Sequence, residues 1–256
     1  VLIVVNGAGA AAMSCTRLYL SLGAKKENII MLDSKGVIQK GDENLTKEKA
    51  EFATSRDVKT LVDVMKGADV FLGLSQGNIV SKEMILSMND NPIVFALANP
   101  DPEISYHDAV SVRKDIIMAT GRSDHPNQVN NVLGFPYIFR GALDVRARCI
   151  NEEMKLAAVR SIAELTKELV PETVNLAYGE QVITFGPDYI IPKPLDNRVI
   201  SVVAPAVAKA AMDSGVAQIQ IDNFETYADE LEYRLGIDNK VLKSITNRAI
   251  RNPKIV

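Results

Sequence analysis

The 256-residue sequence predicts an α/β fold: a doubly wound parallel sheet followed by a C-terminal helical extension. Three observations predict it. Short apolar runs rich in β-branched residues recur along the first half, stretches of helical periodicity alternate with them, and past residue 120 the strand signal fades into longer helical patterns. Continuous apolar runs mark strands buried on both faces, as in a parallel sheet, and strands that alternate with helices build right-handed crossovers.

In chain order, the strands are expected at VLIVVN (1–6), NIIML (28–32), DVFLGL (69–74), PIVFAL (92–97) and DIIMAT (115–120). Helices are expected between them at 10–22, 57–66, 81–88 and 105–113. Further on, 151–170 reads as one helix with an Asn151 N-cap and acidic residues in its first turn. The stretch 198–215 is a second, stopped by Gly215, in which Pro205 calls for a kink or a break, and 224–236 is a third. The expected organisation is a dinucleotide-binding domain over 1–150 that includes a long polar loop at 120–136, a helical layer over 151–236, and a linker at 237–256.

Composition excludes several function classes. Hydrophobic residues make up 47% and charged residues 24%, and the net charge of −3 gives no electrostatic reason to attract nucleic acid or an acidic membrane. No apolar run approaches the roughly 18 residues that cross a bilayer. Two cysteines, Cys15 and Cys149, make no disulfide framework and read as reduced thiols, so the cytoplasm is the expected compartment. The chain opens on Val1 and runs straight into an apolar strand, as expected of a piece of a longer polypeptide.

The most informative stretch is Gly7-Ala8-Gly9-Ala10-Ala11-Ala12, between the first strand and the first helix. In that context GxGxxG/A is a phosphate-binding fingerprint of a Rossmann-type sheet. Gly7 permits the tight turn, Gly9 lets a pyrophosphate approach the backbone, and Ala12 is small enough for close helix–strand packing. The phosphates would sit on free N–H groups at the positive end of the helix. Asp33 ends the second strand at about the 20-residue spacing of the acidic group that bonds the adenosine ribose, which favours NAD. Its alternative is a turn or cap aspartate in LDSKG. Lys35, Lys40, Lys47 and Lys49 lie within reach of a 2′-phosphate or are solvated surface charges, so NAD against NADP stays open.

GLSQG (73–77) and LANPDPE (97–103) end the third and fourth strands at the carboxyl edge, where such sheets hold their ligand. The plainer reading makes Gly73 and Gly77 turn glycines and has Asp101 and Glu103 cap the next helix. In the loop TGRSDHPNQVNNVLGFP (120–136), Asn130 and Asn131 either cap the following helix or donate to a substrate carboxylate. His107 and His125 have no partner at metal-ligand or triad spacing and read as surface histidines.

The motifs GAGAAA, LDSKG, GADVFLGLSQG, FALANPDPE, TGRSDHPNQVNNVLGFPYIFRGALD, INEEMKLAA, AYG, FGPDYIIPKP and VVAPAVAKAAMDSG together resemble the coenzyme-binding half of malic enzyme. The likeness covers residues 1 to about 232 and is greatest to the large bacterial type that carries a phosphotransacetylase-like domain behind it. The resemblance implies oxidation of malate by NAD or NADP, decarboxylation assisted by Mg²⁺ or Mn²⁺ to give pyruvate, and a homo-oligomer with domains fused at both ends.

It also implies residue roles. Gly7, Gly9 and Ala12 hold the pyrophosphate, Asp33 lies at the adenosine ribose, and Ala8, Ala10, Ser34 and Lys49 complete that part of the coenzyme set. Ser75 lies near the nicotinamide ribose, Asn99 touches nicotinamide and malate, and Asn131, with Asn130 beside it, donates to the substrate carboxylate. The carboxylate metal ligands and the acid–base tyrosine and lysine of the family lie N-terminal to the glycine-rich turn. This chain therefore holds no catalytic residue and no metal ligand on that reading, and by itself binds coenzyme without turnover. Two rivals remain: another dehydrogenase on the same sheet, acting on an amino acid or methylenetetrahydrofolate, and a non-catalytic coenzyme-sensing or assembly module.

Overall fold

The computed structural model describes residues 1–179 and 182–236, which divide between two compact units. The first is built from Val1–Asn130 with Thr184–Ile191, the second from Asn131–Ile183 and from Pro192 onward. The chain thus divides at Asn130, ahead of the boundary expected at 150, because the helix at 135–144 packs with the later helices. The linker expected at 237–256 lies outside the described residues.

The first unit is a six-stranded sheet: β1 (Ile3–Asn6), β2 (Ile29–Asp33), β3 (Gly36–Val37), β4 (Val70–Gly73), β5 (Ile93–Ala96) and β6 (Ile117–Thr120), in the order β3-β2-β1-β4-β5-β6. All pairings are parallel except β2 with β3. Its helices are α1 (Ala10–Ser21), α2 (Lys47–Glu51), α3 (Leu61–Met65), α4 (Lys82–Leu86) and α5 (Tyr106–Val112).

The strands are apolar throughout because both faces are covered. Val4, Ile30, Leu32, Phe71 and Val94 face Val64 and Met65 of α3, Ile85 of α4 and Ala109 of α5. Their neighbours Ile3, Val5, Met31 and Leu72 face Ala12 and Met13 of α1 together with Phe52. A fully buried aliphatic or aromatic side chain of this kind stabilises the fold by about 1.5–3 kcal/mol. Every expected strand is present, four of them slightly shortened and β2 shifted by one residue. β3 and α2 are additions; two-residue and five-residue elements leave too little periodicity to read.

The second unit is helical: α6 (Phe135–Asp144), α7 (Glu152–Lys167), α8 (Glu172–Ala177), α9 (Arg198–Asp213) and α10 (Phe224–Leu235). Helix α9 is its axis, with α6, α7 and α10 packed on it. Its buried face is apolar, and Ala204, Ala208 and Ala211 on it let neighbours approach closely. The break allowed for at Pro205 does not occur: α9 is continuous through it, held by packing on either side. The helix expected over 151–170 stops at Lys167, and a separate α8 starts after Pro171.

A Cβ on Gly141 of α6 would collide with the Ala204 carbonyl and lie 2.9 Å from the Val207 Cβ. We predict that Gly141→Val lowers the urea unfolding free energy by about 2 kcal/mol, the range of overpacked cores. Unchanged stability would show that α6 and α9 do not meet there.

Candidate coenzyme-binding site

The strand order reverses between β1 and β4, and in an open parallel sheet that switch point opens a crevice beyond the carboxyl ends of the strands. β1 ends at Asn6, and the chain turns at Gly7 with φ +127, a conformation L-residues rarely adopt. A Cβ there would also lie 2.7 Å from the Leu74 carbonyl oxygen, so only glycine fits between β1 and the end of β4.

The chain then enters α1 from Gly9, whose side lies open, with nothing within 4 Å of where a Cβ would be. Within this unit α2, α3, α4 and α5 are capped by the hydroxyls of Thr46, Thr60, Ser81 and Ser105. Helix α1 has no side-chain cap and no acidic residue in its first turn. Gly9, Ala10 and Ala11 are exposed while Ala12 is buried against the sheet, so the first-turn N–H groups present their partial positive charge to solvent. This cradle fits a pyrophosphate: bare amides, no competing carboxylate, and space at Gly9.

The crevice forms a cavity of about 660 Å³ lined in part by Asn6, Gly7, Ala8, Asp33, Ser34 and Ser75. Asp33 is both the acidic residue at the strand end and a turn residue. Its Oδ1 accepts from the Lys35 N–H (2.8 Å) and its Oδ2 pairs with Lys49 Nζ (2.5 Å). Partial burial pushes the Asp33 carboxyl up, but the Lys49 and Lys35 hydrogen bonds and charges outweigh it and hold the pKa below the ordinary value. A carboxylate has about four lone-pair sites, so these two partners leave capacity for ribose hydroxyls. Of the basic residues considered for a 2′-phosphate, Lys49 is the one whose ammonium sits on Asp33.

Asn6 Nδ2 donates to Ser75 Oγ (2.6 Å), which fixes the serine hydroxyl at the mouth of the cavity. Sequence reasoning passed over Asn6. A buried asparagine (7% exposed) ending an apolar strand was the available signal, since its side chain needs a partner.

The cap that the plainer reading places at the next helix is overturned. Ser105, not Asp101 or Glu103, caps α5, and Glu103 lies fully buried beneath Gly73. Likewise neither Asn130 nor Asn131 caps α6, which begins on Gly134; Asn131 opens a short 3-10 turn instead. Asn99 is exposed in the loop after β5, and Asn99, Asn130 and Asn131 are not among the residues lining the cavity. His125 is not a surface side chain: it is 13% exposed and stacks on Tyr106 at 4.8 Å, with His107 edge-on at 5.2 Å. Among the described residues no group of three His, Cys, Asp or Glu comes together to hold a metal ion.

A doubly wound sheet, a glycine turn into an uncapped helix and an acidic residue closing β2 define a Rossmann-type dinucleotide-binding domain. The chain belongs to the malic enzyme family: the profile described as malic enzyme, NAD binding domain, matches residues 1–177. It is 54% identical over 255 residues to the NADP-dependent malic enzyme of Salmonella typhimurium, covering 99% of this chain and 34% of that protein. It is 49% identical to an NAD-dependent malic enzyme of Rhizobium meliloti, covering 98% of this chain and 33% of that one. Among solved structures it is similar to the malic enzyme of Entamoeba histolytica, with a TM-score of 0.81 and 34% identity over 96% of this chain and 50% of that one. The chain thus spans about a third of the length of these curated relatives. Membership of the family removes dehydrogenases of other families on the same sheet as readings.

The Asp33–Lys49 pair gives a pH-dependent prediction. With the folded pKa of Asp33 lowered, its contribution is complete above the unfolded value of about 3.9 and is lost as pH falls through the folded value. Lys49→Met is expected to cost about 1 kcal/mol in urea unfolding at pH 7, with the gap to wild type narrowing as the solution is acidified below pH 4. A gap that is constant with pH would contradict the pairing.

Proposed function

We propose that this chain is the coenzyme-binding part of an enzyme that oxidatively decarboxylates malate to pyruvate with reduction of NAD or NADP. The observation that carries the reading is the bare N-terminus of α1 at the strand-order reversal, reached through the Gly7 turn. When bound, the coenzyme supplies the hydride acceptor. The chain supplies binding and orientation. The amides of Gly9 and Ala10 and the packing of Ala12 hold the pyrophosphate, with Ala8 lining the cavity beside them. Asp33 and Ser34 receive the adenosine ribose, while Ser75, oriented by Asn6, and Asn99 receive the nicotinamide half. Asn130 and Asn131 are the proposed donors to the substrate carboxylate.

Lys49 bears on coenzyme choice. A lone Asp33 carboxylate would repel a 2′-phosphate, whereas the ion pair cancels that charge and brings an ammonium to the same edge. NADP-dependent and NAD-dependent malic enzymes are both among the relatives, so the proposal covers both coenzymes.

In the proposed complete protein the metal ligands and the acid–base tyrosine and lysine come from fused segments, which fits relatives about three times as long. A homo-oligomer and a cytoplasmic setting belong to the same proposal; the free thiols Cys15 and Cys149 suit a reducing compartment.

Two measurements test this. The 256-residue chain is expected to be stabilised thermally by NAD or NADP but to reduce neither with malate and Mn²⁺; turnover near the enzyme median of about 10 s⁻¹ would refute the division of labour. Lys49→Met is expected to weaken NADP more than NAD, by about tenfold in Kd; equal loss for both would remove Lys49 from coenzyme choice.

A further inference from the structure

One carboxylate lies where the two loops that carry Ser75 and Asn99 converge. Glu103 is completely buried, and among the described residues no cation pairs with it. Instead its Oε1 accepts the Ser75 N–H (3.2 Å) and its Oε2 the Ala98 N–H (3.1 Å).

These two amides occupy matching places. At the carboxyl edge the Leu74 N–H still donates to the Asn6 carbonyl (2.9 Å), and the Leu97 N–H to the Gly73 carbonyl (3.1 Å). The next amide on each strand turns to Glu103. One carboxylate thereby closes both β4 and β5, much as an N-cap closes a helix. An unpartnered buried amide would be costly, and a carboxylate, which only accepts, suits a pocket that only donates.

The surroundings are shaped for it. A Cβ on Gly73 would collide with the Glu103 carboxyl, and a Cβ on Gly77 would lie 2.6 Å from the Asp101 carbonyl oxygen. The glycines of GLSQG therefore admit the 97–103 loop. The main chain adds a second tie, independent of the side chain: the Val80 N–H donates to the Glu103 carbonyl (2.9 Å), and the Asn78 N–H to the Pro102 carbonyl (3.0 Å).

We propose that Glu103 is a positioning residue for the nicotinamide half of the coenzyme. By accepting the first amide beyond the sheet on each loop, it fixes Ser75 and Asn99 relative to one another. The proposal rests on the coenzyme reading above. Glu103 is fully buried and does not line the cavity, and the glycine turn and Asp33 are held without it. Loss of its grip should therefore harm one half of the ligand and spare the other.

The test compares wild type with Glu103→Gln in the 256-residue chain, with NADP and ADP as separate probes in calorimetric titration. ADP carries the adenosine and pyrophosphate but no nicotinamide. Glutamine keeps the shape but turns an NH₂ toward a backbone donor, so the NADP Kd is expected to rise about tenfold while the ADP Kd stays unchanged. Amide hydrogen exchange in the ligand-free chain gives a second readout. Ser75 and Ala98 are expected to exchange about tenfold faster or more in the variant, while Val80, tied to the main chain, keeps its protection. Glu103→Asp, which withdraws the charge by one methylene, should give the same pattern if the glutamine variant does not fold.

Equal losses for NADP and ADP would reduce Glu103 to a general stabiliser and overturn the proposal. Unchanged exchange at Ser75 and Ala98 would overturn it as well. A wild-type chain that binds neither probe would overturn the coenzyme reading instead, while the exchange comparison would still decide whether the carboxylate holds the two loops.

Discussion

The site depends on one steric constraint: the chain must leave β1 and enter α1 within three residues while passing against the Leu74 carbonyl. Gly7 meets it with a positive φ and no Cβ. The tight turn leads from the end of β1, beside the strand-order reversal, straight into α1, whose N-terminus carries no side-chain cap. A helix N-terminus carries about half a positive charge from the aligned peptide dipoles, a favourable place for an anion. In α2 to α5 a threonine or serine hydroxyl takes up that capacity. In α1 no side chain takes it up.

Around this fixed point the edge is organised by polar side chains pulled inward from strand ends and loops. Asn6 holds the Ser75 hydroxyl, Glu103 holds the Ser75 and Ala98 amides, and Lys49 holds Asp33. A fourth inward side chain, Asn127, donates to the Met118 and Pro187 carbonyls and accepts the Ile190 N–H, tying the 120–130 loop to the 184–191 segment of the same unit. The apolar sheet supplies rigidity, and these few hydrogen bonds convert it into loop positions.

The sheet was legible in the sequence because its strands are covered on both faces, so each reads as an unbroken apolar run flanked by turn residues. The glycine turn was legible because its φ and its close approach admit few residues besides glycine. The partners were not. The plainer reading gives the cap of α5 to Asp101 and Glu103; only the fold reveals that Gly73 leaves room for the glutamate, while Ser105 takes the cap. Asn6 hides in a strand, His125 finds Tyr106 through a contact distant in sequence, and the Asp33–Lys49 pair depends on α2, a helix too short to read. Local pattern records burial and backbone strain; pairing across the chain is decided by tertiary packing.

The most direct measurement is a ¹H–¹⁵N correlation spectrum of the chain titrated with NADP. Saturable shifts concentrated at the amides of Gly9, Ala10 and Ala11, with a second group at Asp33 and Ser34, are the predicted result. Shifts that leave the start of α1 unmoved while clustering elsewhere would contradict the claim that this helix terminus is the phosphate cradle.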